Sequence, residues 1–368
     1  MLGEKFEEEV MNYIYKYLLV CLLFCLPLVA NSAESHPEGE LDVKELILDH
    51  LADAYDWHIV SYGDKHISIP LPVIVKGQES GWHLFSSSRF HHGHDEYKGF
   101  YISHEEKYKG KIVENIHGEE VRPWDFSITK NAASLIMSSI ALIALILYCA
   151  QYYRKRKNNP EKVSPKGFIA FVELIIMSVV DGIIKPCIGK NYKRYTPYLL
   201  TVFFFIIFNN LLGLVSIFPG GANVTGNIAI TFTLAMFTFV IVNVYGTKEY
   251  WREIFWPDVP IWLKAFPFMP IIELIGVFTK PFALMIRLFA NILAGHVMVL
   301  GLVCVIFLVA RLGAVVGTGM TLISVLMTIF IDCLEFLVAY IQAYVFTMLS
   351  AVFIGLSQVE PHHVKIEK

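Results

Sequence analysis

Arg287 and His296 stand nine residues apart in RLFANILAGH, inside a long apolar run near the C-terminus. Ionisable groups are costly in hydrocarbon, so by default they mark a pathway or a partner. Arginine keeps its charge at any accessible pH and cannot relay a proton. Beside a carboxylic acid it favours the ionised form and promotes proton release. Histidine titrates near neutral pH, and a buried carboxylic acid moves toward the same range. Such a set suits proton transfer, with a fixed positive charge as barrier and titratable groups as relay.

Helical spacing sorts the candidates into faces. Glu273, Lys280 and Arg287 are seven apart, drift only about 20° per step and form one stripe. Asn291 lies one turn beyond Arg287, within about 40° of it, whereas His296 is roughly 180° away and about 13 Å further along the axis. In the next apolar run Glu335 and Gln342 are also seven apart, and Asp332 flanks Glu335. Each group has a plainer alternative. Arg287 could form a structural salt bridge with Asp332 or Glu335, and His296 with Glu335 could simply close a helix pair. Lys280 is expected to snorkel or pair. Glu273 could line a second aqueous path. Asn209, Asn210 and Asn227 either bond across helices or line water. No further His or Cys sits at ligand spacing near His296, which argues against a metal there.

The elements that must position these groups are membrane helices. The chain is 55% hydrophobic and 17% charged, against about 25% charged in an average soluble domain. The apolar excess collects after residue 130. The net charge of -3 argues neither for nor against nucleic acid, and no phosphate loop, zinc finger or nucleophile elbow appears, so no nucleic-acid partner, cofactor or catalytic site is expected.

Residues 1–33 read as a leader and signal peptide: Lys16, the run YLLVCLLFCLPLVA, then ANSAES with cleavage between Ala30 and Ala33, Met11 being an alternative start. An uncleaved anchor is the rival reading. Residues 34–130 read as a small β-rich extracytoplasmic domain. WHIVSYGDKHISIPLPVIV alternates and is punctuated by YGD and prolines, and GWHLFSSS and GFYISHEE supply two more strands. His91, His92, His94 and Asp95 in FHHGHDE suggest metal binding, but such close packing in sequence favours a solvated loop. Of six cysteines, Cys21 and Cys25 fall in the leader, and Cys149, Cys187, Cys304 and Cys333 read as apolar filler in or beside membrane segments. None lies in 34–130, so that domain is not a disulfide scaffold.

Residues 131–357 read as an all-α polytopic membrane domain of about five spans, at 132–152, 196–217, 227–245, 268–312 and 316–356, with an interfacial amphipathic helix at 166–187 that carries Glu173, Asp181 and Lys185. QYYRKRKNN, GKNYKRY and GTKEYWRE put basic charge on the cytoplasmic side, leaving the N-terminal domain outside and the tail 358–368 inside. The last two runs are too long for an upright crossing: 268–312 would extend about 65 Å across about 30 Å of hydrocarbon. Gly276, Gly295 and Gly301 permit breaks, but the absence of prolines after Pro281 and of polar loops favours an intact, steeply tilted hairpin packed on a large partner.

At these residues the sequence resembles subunit a of the F-type ATP synthase membrane sector. KPFALMIRLFANILAGH is similar to that family's signature around its arginine, and EFLVAYIQAYVFTML to that of its last helix. YTPYLLTVFFFIIFNNLLGL and TGNIAITFTLA resemble its earlier spans. The resemblance covers roughly residues 130–357 and leaves the preceding domain outside the family's general pattern. It implies that Arg287 faces a rotating ring of proteolipid subunits, with Asn291 and Gln342 close by. It implies that His296 and Glu335 line an outward half-channel, and Glu273 a cytoplasmic one. It further implies a non-catalytic stator subunit with peripheral-stalk and catalytic-head partners, in a bacterial inner membrane, carrying protons.

Two other classes compete. A secondary transporter would need internal repeats or paired broken helices, and neither is visible. An adhesive or assembly protein merely anchored by its helices would have no use for the polar stripe.

Overall fold

The computed structural model describes residues 53–358 apart from 63–64, 79–80, 94, 104, 106, 117, 158–166, 216–220, 257–267 and 311–313. The expected leader and the tail from 359 on lie outside the described residues, as do His94 and the side chains of His91 and His92. Among the described residues no group of three His, Cys, Asp or Glu is placed to hold a metal ion. Residues 60–67 group with 1–42 as one unit, and 43–59 with 68–368 form the other.

The N-terminal segment is β-rich, as its alternation predicts. Its strands are β1 (Asp56–Tyr62), β2 (Lys65–Pro70), β3 (Pro72–Gly77), β4 (Gly81–Ser86), β5 (Phe100–Ile102), β6 (Ile112–Ile116), β7 (Glu119–Val121) and β8 (Trp124–Asp125). They form sheets β1-β2, β4-β3-β8 and β5-β6-β7. In β3 the period of two puts Val73 and Val75 inside at 0% exposure. They pack with Tyr55, Phe90, Phe100 and Ile112. The alternate residues Ile74 and Lys76 pair with Leu84 and Trp82 of β4 on the outer face. Strands β6 and β7 were not legible because IVENIHGEEV breaks its apolar run with acids and a glycine, and β8 is only two residues long.

The rest is helical: α1 (Lys130–Lys157), α2 (Phe168–Val179), α3 (Tyr192–Leu214), α4 (Ile228–Val244), α5 (Lys248–Phe255), α6 (Phe268–Ala310) and α7 (Ala314–Ser357). A π turn (Val180–Ile184) and a short helical turn (Lys185–Ile188) continue α2. Within them Asp181 and Lys185 form an exposed i,i+4 ion pair. The start of α1 is tied to the β module. The Asp53 carboxylate accepts the Asn131 N–H at 3.1 Å and the Ala54 carbonyl accepts that of Lys130 at 2.9 Å, meeting donors that a helix start leaves open.

Among the described residues α1, α6 and α7 are each long and apolar enough to cross a membrane, and α4 with α5 makes a further candidate bent by 98°. The chain is thus a multi-pass membrane protein. Helix α3, read in sequence as a span, is 23 residues long and is not among these candidates. It lies at the centre of the bundle, with Leu199, Phe203 and Ile206 at 0% exposure against Ile184, Leu288, Ala343 and Phe346. Helix α6 runs for 43 residues and α7 for 44. Gly276, Gly295, Gly301 and Pro281 do not interrupt α6.

Candidate functional site: the polar faces of α6 and α7

Burial divides α6 lengthwise. Val277, Leu284, Met285 and Leu288 are buried, the spacing of one helical face. Arg287 and Asn291 lie on the other side, exposed beside Ala283, Ala290 and Ala294. Among the described residues no ion pair joins Arg287 to Asp332 or Glu335, so the structural salt bridge weighed above does not form.

His296 is half-buried and turns toward α3. A Cβ placed on Gly213 would stand 3.6 Å from its Nε2 and 3.8 Å from the Ala222 carbonyl oxygen. Glycine at 213 therefore leaves room on α3 for the imidazole. Glu335, also half-buried on α7, reaches the residue before His296, because a Cβ on Gly295 would overlap its carboxylate. Two glycines thus bring a histidine and a glutamate from facing helices to the same level of the bundle. Asp332, one turn earlier, is exposed.

The buried asparagines bond across helices, as one of the two readings required. Asn209 accepts from the Ser138 hydroxyl of α1 at 2.8 Å and donates to the Phe205 carbonyl at 2.8 Å. Asn210 donates to the Ala339 carbonyl of α7 at 3.3 Å, and its Oδ1 is buried without a partner. Gln342 follows Ala339 by one turn and is 6% exposed, whereas Arg287 faces outward; no hydrogen bond joins the two. Asn227 caps α4, accepting the Ala229 N–H at 3.0 Å.

Toward the far end of α6, Glu273 is exposed within electrostatic reach of Tyr250. Lys280 lies over the Phe353 ring at 5.9 Å, so it pairs with an aromatic face. It lines a small open cleft together with Asn243, Tyr250 and Thr238. The Thr238 hydroxyl links Tyr198 of α3 at 2.8 Å and Ser350 of α7 at 3.3 Å. Sequence reasoning missed Gly213 and this hydroxyl chain, and it named Gly295 for helix breaks and close approach, not for its fit to Glu335. A glycine or threonine in an apolar run carries no mark of what faces it. The four described cysteines are free, Cys149 and Cys304 buried, Cys187 half-buried and Cys333 exposed.

Comparison with known proteins follows the same division of the chain. Residues 46–126 match the model of a domain of unknown function, DUF8433. Residues 135–355 match that of the ATP synthase A chain family. ATP synthase subunit a of Chlorobium phaeobacteroides (strain DSM 266) is 42% identical over 251 residues, 66% of this chain and 69% of that protein. The Chloroherpeton thalassium protein of the same name is 37% identical over 66% of this chain and 70% of its own length. That of Myxococcus xanthus is 39% identical over 67% of this chain and 80% of its own. A match over most of the length, taking in every residue of the polar faces, settles the family: the chain belongs to the ATP synthase A chain family.

Proposed function

We propose that this chain is the proton-conducting stator subunit of an F-type ATP synthase, with two offset half-channels separated by Arg287. The observation that carries the reading is the division of α6. Arg287 and Asn291 are exposed among alanines, while His296 turns into the bundle at the level where Glu335 meets Gly295.

A charged face of small residues suits close approach to another helix, here the carboxylate-bearing helices of a proteolipid ring. A proton enters from outside past Glu335 and His296 and neutralises a ring carboxylate. The neutral group then passes through lipid, where an ionised one would be costly. After a turn of the ring it loses its proton into a second half-channel near Glu273 before reaching Arg287. The fixed guanidinium favours that release and repels protons that would cross directly. Each charge moved supplies about 2.3 kcal/mol per 100 mV. Asp332, Gln342, Asn209, Asn210, Asn227 and Lys280 are assigned supporting places along these paths.

The length of α6, about 65 Å at 1.5 Å per residue, exceeds the hydrocarbon thickness about twofold. We assign the α6–α7 pair a steep tilt along the curved ring. Basic segments at Arg154–Lys157, Lys190–Arg194 and Lys248–Arg252 support a cytoplasmic location for those ends. That puts residues 34–130 in the periplasm of a bacterium with an inner membrane, and the tail 358–368 in the cytoplasm. The chain holds no catalytic site of its own in this reading. Its partners are the ring, the peripheral stalk and, through the complex, the catalytic head.

The test is Arg287→Ala in the whole complex reconstituted in vesicles. Proton-driven ATP synthesis should vanish while ring and head still co-purify; persistence of synthesis would sink the assignment. Protons rather than sodium are the assigned ion, so sodium should not stimulate ATPase activity at any pH.

A further inference from the structure

We propose that the N-terminal β module positions the outward half-channel: Trp57 clamps the turn at 221–227 onto α3, and that turn holds His296 against Gly213. The inference rests on the proton-path reading above and gives the β module a place in it.

Trp57 is 4% exposed and packs on Ala222 (2%) and Val224 (1%), with Ala133 and Met137 of α1 and Ile230 of α4 around it. A buried indole covers on the order of 150–250 Å², enough to span this turn. The turn is braced by its own hydrogen bonds. Asn223 Oδ1 accepts the Gly226 N–H at 2.8 Å, and the Val224 carbonyl accepts that of Asn227 at 3.2 Å. It can therefore transmit a push from one side to the other. On its far side the Ala222 carbonyl and His296 Nε2 flank the same bare face of Gly213, at 3.8 and 3.6 Å from the position a Cβ would take.

The clamp is itself held through the residues just before it. Just before Trp57, the Tyr55 hydroxyl donates to the Asp125 carboxylate at 2.5 Å. Asp53 and Ala54 receive the first N–H groups of α1. A run of five residues, 53–57, is thus tied to β8, to the start of α1 and to the turn. The ties to β8 and α1 are hydrogen bonds, and Trp57 meets Ala222 and Val224 through apolar packing, which depends on shape.

Among the described residues, α7 brings Glu335, with Asp332 near it, to the level of Gly295 and His296, and Asp53 lies near Lys130 at the start of α1. The stretch of α3 from Thr201 on, the turn and α4 carry no charged side chain and no histidine. A shift of the turn therefore acts on the His296–Glu335 level by changing geometry and water access.

The experiment measures proton-driven ATP synthesis by the reconstituted complex as a function of outside pH at fixed inside pH. Trp57→Ala should move the outside-pH midpoint by about half a unit or more, roughly threefold in proton concentration. The inside-pH profile should stay in place. Trp57→Phe, which keeps an aromatic wedge, should restore the wild-type midpoint, and Val224→Ala should shift it in the same direction as Trp57→Ala. A uniform loss of rate with unmoved midpoints in every assembled variant would overturn the proposal. So would failure of both Trp57→Ala and Val224→Ala to assemble, which would make the contact a folding contact only. Arg287→Ala run alongside separates the two readings. If it still supports synthesis, the proton-path reading has failed; if it is dead and the Trp57 midpoints do not move, only the positioning role has.

Discussion

Gly295 of α6 and Glu335 of α7 fit one against the other, so that any side chain at 295 would occupy the space of the carboxylate. Because 295 adjoins His296, that fit sets how near the two titratable groups come. Gly295→Ala should force Glu335 aside and lower ATP-driven proton pumping on the order of ten- to a hundredfold, the scale of a small misplacement at a reacting site. Combining it with Glu335→Asp, one methylene shorter, should recover part of the loss. Pumping at the wild-type rate in Gly295→Ala vesicles would show that the fit is irrelevant to conduction.

The Ser138–Asn209 hydrogen bond ties α1 to α3 at 2.8 Å in a buried setting. A double-mutant cycle with Ser138→Ala and Asn209→Ala should give a coupling of about 1 kcal/mol in thermal unfolding of the purified subunit, as for other polar bonds between membrane helices. The modest size follows from the alternative acceptor of Ser138, the Leu135 carbonyl at 3.0 Å. Independent, additive effects would mean that the bond does not form in the membrane.

Tyr55 of the β module gives a pH dependence. Burial, and then donation to Asp125, push its phenol well above the ordinary tyrosine range. A group whose folded pKa is raised stabilises fully below its unfolded value, about 10, and that stability is lost as pH rises from there toward the folded value. Hydrogen exchange of residues 53–57 and 112–116 in the whole chain should therefore quicken above about pH 10. Tyr55→Phe should remove that part of the slope and cost about 1 kcal/mol at pH 8. An unchanged alkaline slope in the variant would assign the loss to other groups.

Gly355 near the end of α7 lies against the backbone carbonyl of Cys187, and a Cβ there would overlap it. Backbone cannot yield as a flexible side chain can. Gly355→Ala should thus cost about 1–3 kcal/mol and depress the melting temperature of the detergent-purified subunit. Gly182→Ala is the control, since its Cβ would meet only the Tyr344 hydroxyl at an ordinary 3.8 Å. Equal melting of the two variants would contradict the packing described.

Helix periodicity alone separated Arg287 from His296. A rotation of 100° per residue is a property of the backbone, and it leaves Arg287 exposed on one side and His296 half-buried on the other. The β segment from 56 to 86 was legible for the same reason, because its alternation has a period of two. What rotation cannot tell is which neighbour fills the space opposite a given face. Asn209 and Asn210 are adjacent in sequence with identical side chains, yet one bonds to α1 and the other to α7.

By itself the sequence determined the membrane class and the angular order of the polar residues, and it favoured an unbroken α6 and α7 without excluding breaks. These depend on local apolar density and helical pitch. The tertiary structure alone decided that Glu335 comes to Gly295, that His296 comes to Gly213, and that Trp57 closes on Ala222 and Val224. Each of those contacts joins segments far apart in the chain through the absence or bulk of a side chain. Complementarity of shape between two surfaces exists only when both are present.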